Sequence, residues 1–256
     1  MSGTRASGKA PLGLAAVISV AAGVVVWSVA ASAAGPLLLP QPTEVLRALV
    51  ANRMSLGAAL WETSVAAVGG LAVAATLGVL AAAAAWWNRG LQQALAPWTV
   101  LVQVVPIVAI APLLVVWLGY GRGVSMCTAS IAAFYPVFSS ASSGLRAPGV
   151  ELVDLFRLLG ASRLRELVQL RAWAALPALF AGLRTAAGLS VIGAIVGEFV
   201  GSNGSPPSLG YTVLFASRSA HPDEAFAAIL LAAFLALTLG TALGWLERRT
   251  IGRWYG

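Results

Sequence analysis

The residues able to do chemistry in this 256-residue chain are few, and most fall in two places. The first is Glu151–Arg184, ELVDLFRLLGASRLRELVQLRAWAALPALFAGLR, a charged interior segment among apolar runs. Leu152, Leu155, Phe156 and Leu159 share one face at the i, i+3, i+4, i+7 spacing, and Glu151, Asp154 and Arg157 share another. Such a helix suits recognition, with apolar anchors and a charged rim. The second place is Glu198, a carboxylate near the outer end of an apolar run. A charge at mid-bilayer costs about 2.5–3.5 kcal/mol on insertion scales, and less near an interface. Glu198 could form an ion pair, line an outer vestibule or simply reach water. Arg184 lies near the inner end of the same run and can snorkel to the interface. Gln103, Thr128, Ser139, Ser140, Ser142 and Ser143 could make a polar pore wall, although serines also pack between close helices.

None of this is catalytic machinery. His221 is the lone histidine and Cys127 the lone cysteine, which excludes histidine-rich metal sites, cysteine clusters and an internal disulfide. There is no GxxxxGK[ST] phosphate loop, so no nucleotide site is expected in this chain. No cofactor is expected either.

The elements that must position these residues are set by lipid. The chain is 59% hydrophobic and only 10% charged, with mean hydropathy +0.87. Soluble domains carry about 25% charged residues, so a bilayer must cover much of this surface. The net charge of +7 is almost wholly arginine, Lys9 being the single lysine. The basic residues sit between apolar runs, which points to a membrane and away from nucleic acid. Six runs approach the roughly 20 residues needed to cross a bilayer: 12–34, 63–87, 97–120, 123–145, 176–201 and 225–246. Open strands would leave backbone groups unpaired in lipid, so the expected fold class is all-α, a polytopic membrane helix bundle with six transmembrane helices. Tails at 1–11 and 247–256 flank it, and a cytoplasmic hairpin occupies 148–172.

The first run also has features of a secretory signal: Arg5 and Lys9 precede it and Ala31-Ser32-Ala33 ends it. It is longer than an ordinary signal core and is taken as a retained span. With the N-terminus inside, eleven basic residues from Arg5 to Arg253 fall on inner segments, against Arg47, Arg53, Arg122 and Arg218 outside. The bias predicts both termini in the cytoplasm. Thr43 is the expected cap of a short outer helix beginning at Glu44. Pro106 and Pro112 in the third run and Pro136 in the fourth are candidate kinks.

Within the hairpin, acids occupy the first turns, as the helix dipole favours, and Gly160 supplies a left-handed stop. Ser162 then caps a second helix at 163–170, with Leu164, Leu167 and Val168 as its apolar face. Composition allows two readings: a loop lying on lipid headgroups, or a docking helix for a partner.

The hairpin resembles the cytoplasmic loop signature of ABC importer permeases. That signature is an acid, two small residues, three variable residues and a glycine, followed later by an apolar-x-Leu-Pro element. DLFRLLG places Asp154 at the acid and Gly160 at the glycine. Leu155 and Phe156 replace the small pair, and Ala172-Trp173 stand where Leu-Pro is expected. Leu176-Pro177 and Gly182-Leu183-Arg184 are similar to the continuation in the nitrate, sulfonate and taurine branch. LLPQPTEV at 38–45, ETSVAAVGG at 62–70, PIVAIAPLLVVWLGYG at 106–121, FYPVF at 134–138, GEFVG at 197–201 and Leu209-Gly210 extend the likeness over most of the chain.

The resemblance implies the type I ABC importer (MetI-like) permease fold in a bacterial inner membrane. It implies a homodimer, two cytoplasmic ATP-binding-cassette ATPase subunits and an extracytoplasmic solute-binding protein. Asp154, Arg157, Leu158, Leu159, Gly160 and Ala161 would contact the ATPase. Glu198, Gln103 and Ser139 are the candidates for pore or gate. The expected cargo is a small solute, an anion of the sulfonate, taurine or nitrate kind, or alternatively a pyrimidine, thiamine-precursor or riboflavin-type compound. An ion-driven secondary transporter should instead show inverted repeats and broken midplane helices. A membrane enzyme should show paired acids or histidines facing one leaflet.

Overall fold

The computed structural model describes residues 12–204 and 206–251. The tail expected at 1–11, with Arg5 and Lys9, and the end of the other tail, with Arg253, lie outside the described residues. So does the side chain of Gln103. Ten helices follow in order: α1 Leu12–Ala34, α2 Pro42–Ala51, α3 Arg53–Trp87, α4 Arg89–Val104, α5 Ile107–Leu118, α6 Arg122–Gly144, α7 Val150–Leu158, α8 Arg163–Gly201, α9 Leu209–Arg218 and α10 Pro222–Ile251. No strand occurs among the described residues. α1, α3, α6, α8 and α10 are long and apolar enough to cross a membrane, and α5 is a shorter apolar helix.

Three local outcomes differ from the sequence reading. The short outer helix is capped at Gln41 and not at Thr43: Pro42 takes the first helical position, and the Gln41 amide donates to Glu44 Oε2 at 2.8 Å. The run expected as one span at 97–120 is broken. Val105 is extended (φ −70°, ψ 121°) and Pro106 follows with φ −63° and ψ 120°. Proline lacks the amide proton and drives the residue before it out of helical geometry. Pro112 and Pro136 are accommodated inside α5 and α6. Third, the expected helix at 163–170 and the run at 176–201 form a single helix of 39 residues. No glycine or proline interrupts 161–176, because Trp173 occupies the place where the family signature has proline. The adjustment is confined to one wide turn at Glu166–Arg171, after which the Ala172 amide donates to Leu167 O, five residues back.

The centre of the bundle is α6, held between α3 and α8. Close approach is carried by glycines. A Cβ added at Gly193 would come within 2.8 Å of Ala129 Cα, one at Gly197 within 2.7 Å of Ser125 Cα, and one at Gly201 within 2.8 Å of Val124 Cβ. These three glycines recur every fourth residue on α8 and let the backbones nearly touch, as in membrane helix pairs driven by van der Waals packing. From the other side, Gly70 of α3 sits against the Met126 carbonyl. The buried core is rich in alanine, including Ala59, Ala66, Ala67, Ala129 and Ala194, while Val116, Trp117 and Leu237 point outward. Small residues inside and large apolar ones outside are what a lipid-covered bundle requires. α1 is anchored by Trp27, whose Nε1 donates to Pro40 O at 3.1 Å and whose ring lies 5.9 Å from Phe226.

Candidate functional site

The hairpin between α6 and α8 starts with α7. Its end is built by hydrogen bonding: the Ala161 amide donates to Phe156 O and the Gly160 amide to Arg157 O, both at 3.0 Å. Gly160 has φ +75°, the left-handed conformation this cap requires. Ser162 accepts the Arg165 amide at 3.3 Å and starts α8. One side chain of α7, Val153, is buried. Leu158 is 85% and Leu159 76% exposed, and Leu152 and Leu155 also face outward. Asp154 and Arg157 are exposed, with their charged atoms 3.9 Å apart. Ala161 is half-buried behind the turn. The six hairpin residues singled out from sequence therefore sit together on one projecting tip.

What holds that tip was not legible. Glu166 is buried and accepts from Arg171 Nε at 2.7 Å, while Arg171 also donates to Leu145 O at 2.7 Å. The same guanidinium lies 5.1 Å from the Trp86 ring centre, and Arg157 approaches Glu166 at 3.5 Å. The hairpin base is thus tied to the ends of both α6 and α3. In a regular helix, residues five apart are rotated by about 140°. The wide turn at 166–171 brings Glu166 and Arg171 round to each other, and no ordinary i, i+3 or i, i+4 pattern marks them.

A second polar cluster lies at the opposite end of the bundle. Glu198 is 2% exposed. Its Oε2 accepts the Thr63 hydroxyl at 3.0 Å and the Gly210 amide at 2.8 Å. Thr63 in turn accepts the Leu209 amide at 3.0 Å, and Ser208 accepts the Tyr211 amide at 3.4 Å. Glu198 therefore sits at the N-terminus of α9, where free amides and the helix dipole favour a carboxylate. Beside it, Glu62 receives Arg122 Nε at 2.7 Å and a second guanidinium nitrogen at 2.6 Å. A cavity of about 20 Å³ separates the pair from Glu198. Sequence reasoning singled out Glu198 but missed Glu62 and Arg122, which are sixty residues apart, the first inside α3 and the second at the start of α6.

The other candidates are scattered. Ser139 is half-buried on α6, fourteen residues from Ser125 and so about 21 Å along the axis from the Glu198 cluster. Gln103 is on α4. Thr128 donates back to Val124 O and Ser125 O at 3.0 Å, and Ser143 to Ser140 O at 3.1 Å. Ser140 packs against Gly182 of α8. Thr128, Ser140 and Ser143 are thus engaged in contacts within or between helices. Arg184 pairs with Glu247 of α10 at 3.3 Å. Among the described residues, no group of three or more histidine, cysteine or acidic side chains could hold a metal.

The sequence profile of the family described as "Binding-protein-dependent transport system inner membrane component" matches residues 74–252, well over half of the chain. The chain belongs to this family of ABC importer permeases. The permease is 36% identical to a probable ABC transporter permease protein of Haemophilus influenzae, over 71% of this chain and 73% of that protein. It is 32% identical to the formylaminopyrimidine transport permease protein ThiX of Halalkalibacterium halodurans, over 73% and 75%. With the taurine transport system permease protein TauC of Escherichia coli the identity is 29%, over 90% and 85%. The permease is a multi-pass membrane transport subunit of the nitrate, sulfonate and taurine family and not an enzyme. Its family implies an ATPase and a binding protein as partners.

Proposed function

We propose that the permease works as a homodimer in which each α7 tip docks on one cytoplasmic ATPase. Both termini lie in the cytoplasm, and the Glu198 cluster faces the side from which a binding protein delivers solute. The observation that carries this reading is the contrast within the hairpin. Leu158 and Leu159 stand exposed, while the base is fixed through Glu166 and Arg171. An apolar tip on a rigid base suits a helix-in-groove contact, with Asp154 and Arg157 as its polar rim. ATP binding in the partner would draw the two tips together and open the pore outward, and hydrolysis would reset it.

The cargo is a small solute. The taurine-type relative spans nearly the whole chain and favours a sulfonate-like anion. The higher identity to the formylaminopyrimidine relative supports a second reading, a pyrimidine precursor. The experiment reconstitutes permease, ATPase and cognate binding protein in proteoliposomes and measures ATP-driven uptake of labelled taurine and formylaminopyrimidine. Gly160→Val and Asp154→Lys should leave the dimer intact while lowering complex yield or separating hydrolysis from uptake. Wild-type transport by both variants would reduce α7 to a surface loop.

A further inference from the structure

At the hairpin end of the bundle, a polar cavity of about 730 Å³ opens between the hairpin base and the end of α3. Its wall carries four guanidiniums, Arg146, Arg157, Arg163 and Arg171, against one carboxylate, Glu166. Glu166 is already engaged by Arg171 at 2.7 Å and by Arg157 at 3.5 Å. Arg146 and Arg163 have no carboxylate partner among the described residues. The wall therefore keeps excess positive charge facing an open, solvent-accessible pocket. Its size falls within the roughly 300–1,000 Å³ of small-molecule sites, much larger than a single inorganic anion needs.

The position of the cavity says what kind of anion fits. α3 is an apolar, span-length helix that ends on Trp86-Trp87, and both tryptophans line the cavity before the chain turns at Asn88. Trp87 is 46% exposed. Tryptophan pairs at the end of a span mark the level of the lipid headgroups, where an amphipathic ring is at home. A basic pocket between helices at that level is suited to an anionic headgroup. Arginine adds the forked geometry that meets two phosphate oxygens at once.

We infer that this cavity binds the phosphodiester headgroup of an anionic phospholipid, held by Arg146 and Arg163 and bordered by Trp87. The bound headgroup would bridge the α6 end, the start of α8 and the α3–α4 turn, and so stiffen the hairpin base. The pocket shares Arg157 with the rim of the α7 tip, but Arg146 and Arg163 lie outside that tip, and the inference does not depend on the tip being an ATPase contact.

The test uses the complete permease–ATPase complex in detergent, with native mass spectrometry to read bound lipid. Phosphatidylglycerol and phosphatidylcholine with the same acyl chains are added in parallel, with and without millimolar inorganic phosphate. Saturable retention of one phosphatidylglycerol per permease, at least fivefold above phosphatidylcholine, is expected. Arg146→Gln with Arg163→Gln should remove that preference, and Arg146→Lys with Arg163→Lys should restore part of it. Both side chains are exposed and unpaired, so folding should be unaffected, and monodispersity of each variant checks this. Equal retention of the two lipids, or undiminished preference in the glutamine variant, overturns the inference. Displacement of the lipid by inorganic phosphate would assign the cavity to a soluble anion and overturn it as well. So would phosphatidylglycerol bound by the free permease but excluded from the complex, which would make the cavity an ATPase contact.

Discussion

Thr63 and Glu198, 135 residues apart in sequence, meet at 3.0 Å in the interior of the bundle. The Thr63 hydroxyl donates a hydrogen bond to the carboxylate and accepts one from the Leu209 amide at the same distance. α3, α8 and α9 are thereby joined by two side chains. Glu198→Ala should leave the Gly210 amide and the Thr63 hydroxyl buried without an acceptor. Such groups cost about 1–3 kcal/mol each when orphaned. Thermal unfolding of the purified permease should fall accordingly, while Glu198→Gln, which keeps an acceptor oxygen for Gly210, should lose less. Equal unfolding of both variants and wild type would show that α9 is held by something else.

Arg171→Ala should loosen the hairpin without disturbing the spans. Removing one partner of a buried pair costs about 3–5 kcal/mol, and the remaining contact of Arg157 with Glu166 should keep the loss near the lower end. Limited trypsin digestion is the sensitive readout, since Arg163 and Arg165 are exposed at the very start of α8. Cleavage there should accelerate several-fold in the variant. An unchanged rate would mean that the base of the hairpin is set by backbone packing alone.

The α6–α8 contact makes a paired prediction. Gly197→Ala places a methyl group within 2.7 Å of Ser125 Cα, whereas nothing lies within 4 Å of a Cβ at Gly188. Gly197→Ala should destabilise by about 1–3 kcal/mol through overpacking, and Gly188→Ala should be near neutral. Detergent melting curves decide it. Equal shifts in the two variants would refute the tight helix contact.

Orientation is testable with single cysteines in a Cys127→Ala background. Ser162→Cys, in the hairpin turn, should be labelled only from the cytoplasmic side. Ser219→Cys, after α9, should be labelled only from the outside. Both positions are exposed, so access is governed by the membrane. Labelling of both from one side would overturn the proposed topology.

The helical class and the turn of the hairpin tip could be read from sequence because each rests on local chemistry. Apolar run length gives spans, and Gly160 followed by Ser162 gives a stop and a start within three residues. The fixing of the tip could not be read, because Glu166 and Arg171 stand five residues apart and meet only through a locally widened turn. The Glu198 cluster was half visible. Glu198 stood out as a charge in an apolar run, but Glu62 and Arg122 lay at run ends, where charged residues are expected. The glycine spacing at 193, 197 and 201 was available in the sequence as a helix-contact signal and identifies the face of α8 that meets α6. A proline in an apolar run signals a kink, but at Pro106 the helix breaks fully, since Val105 before it is extended as well.

The continuity of α8 has a mechanical consequence. At about 1.5 Å per residue, its 39 residues make a rod about 58 Å long. One end carries the Glu166–Arg171 clamp and the other carries Glu198 beneath α9. A rod of that length acts as a lever arm: a tilt of about 5° displaces one end by about 5 Å relative to the other. The jointed pair α4–α5 cannot transmit a tilt across Val105–Pro106 in the same way. A displacement of the hairpin thus has one continuous element to travel along, whose two irregular points, the wide turn at 166–171 and Pro177, both lie near its hairpin end.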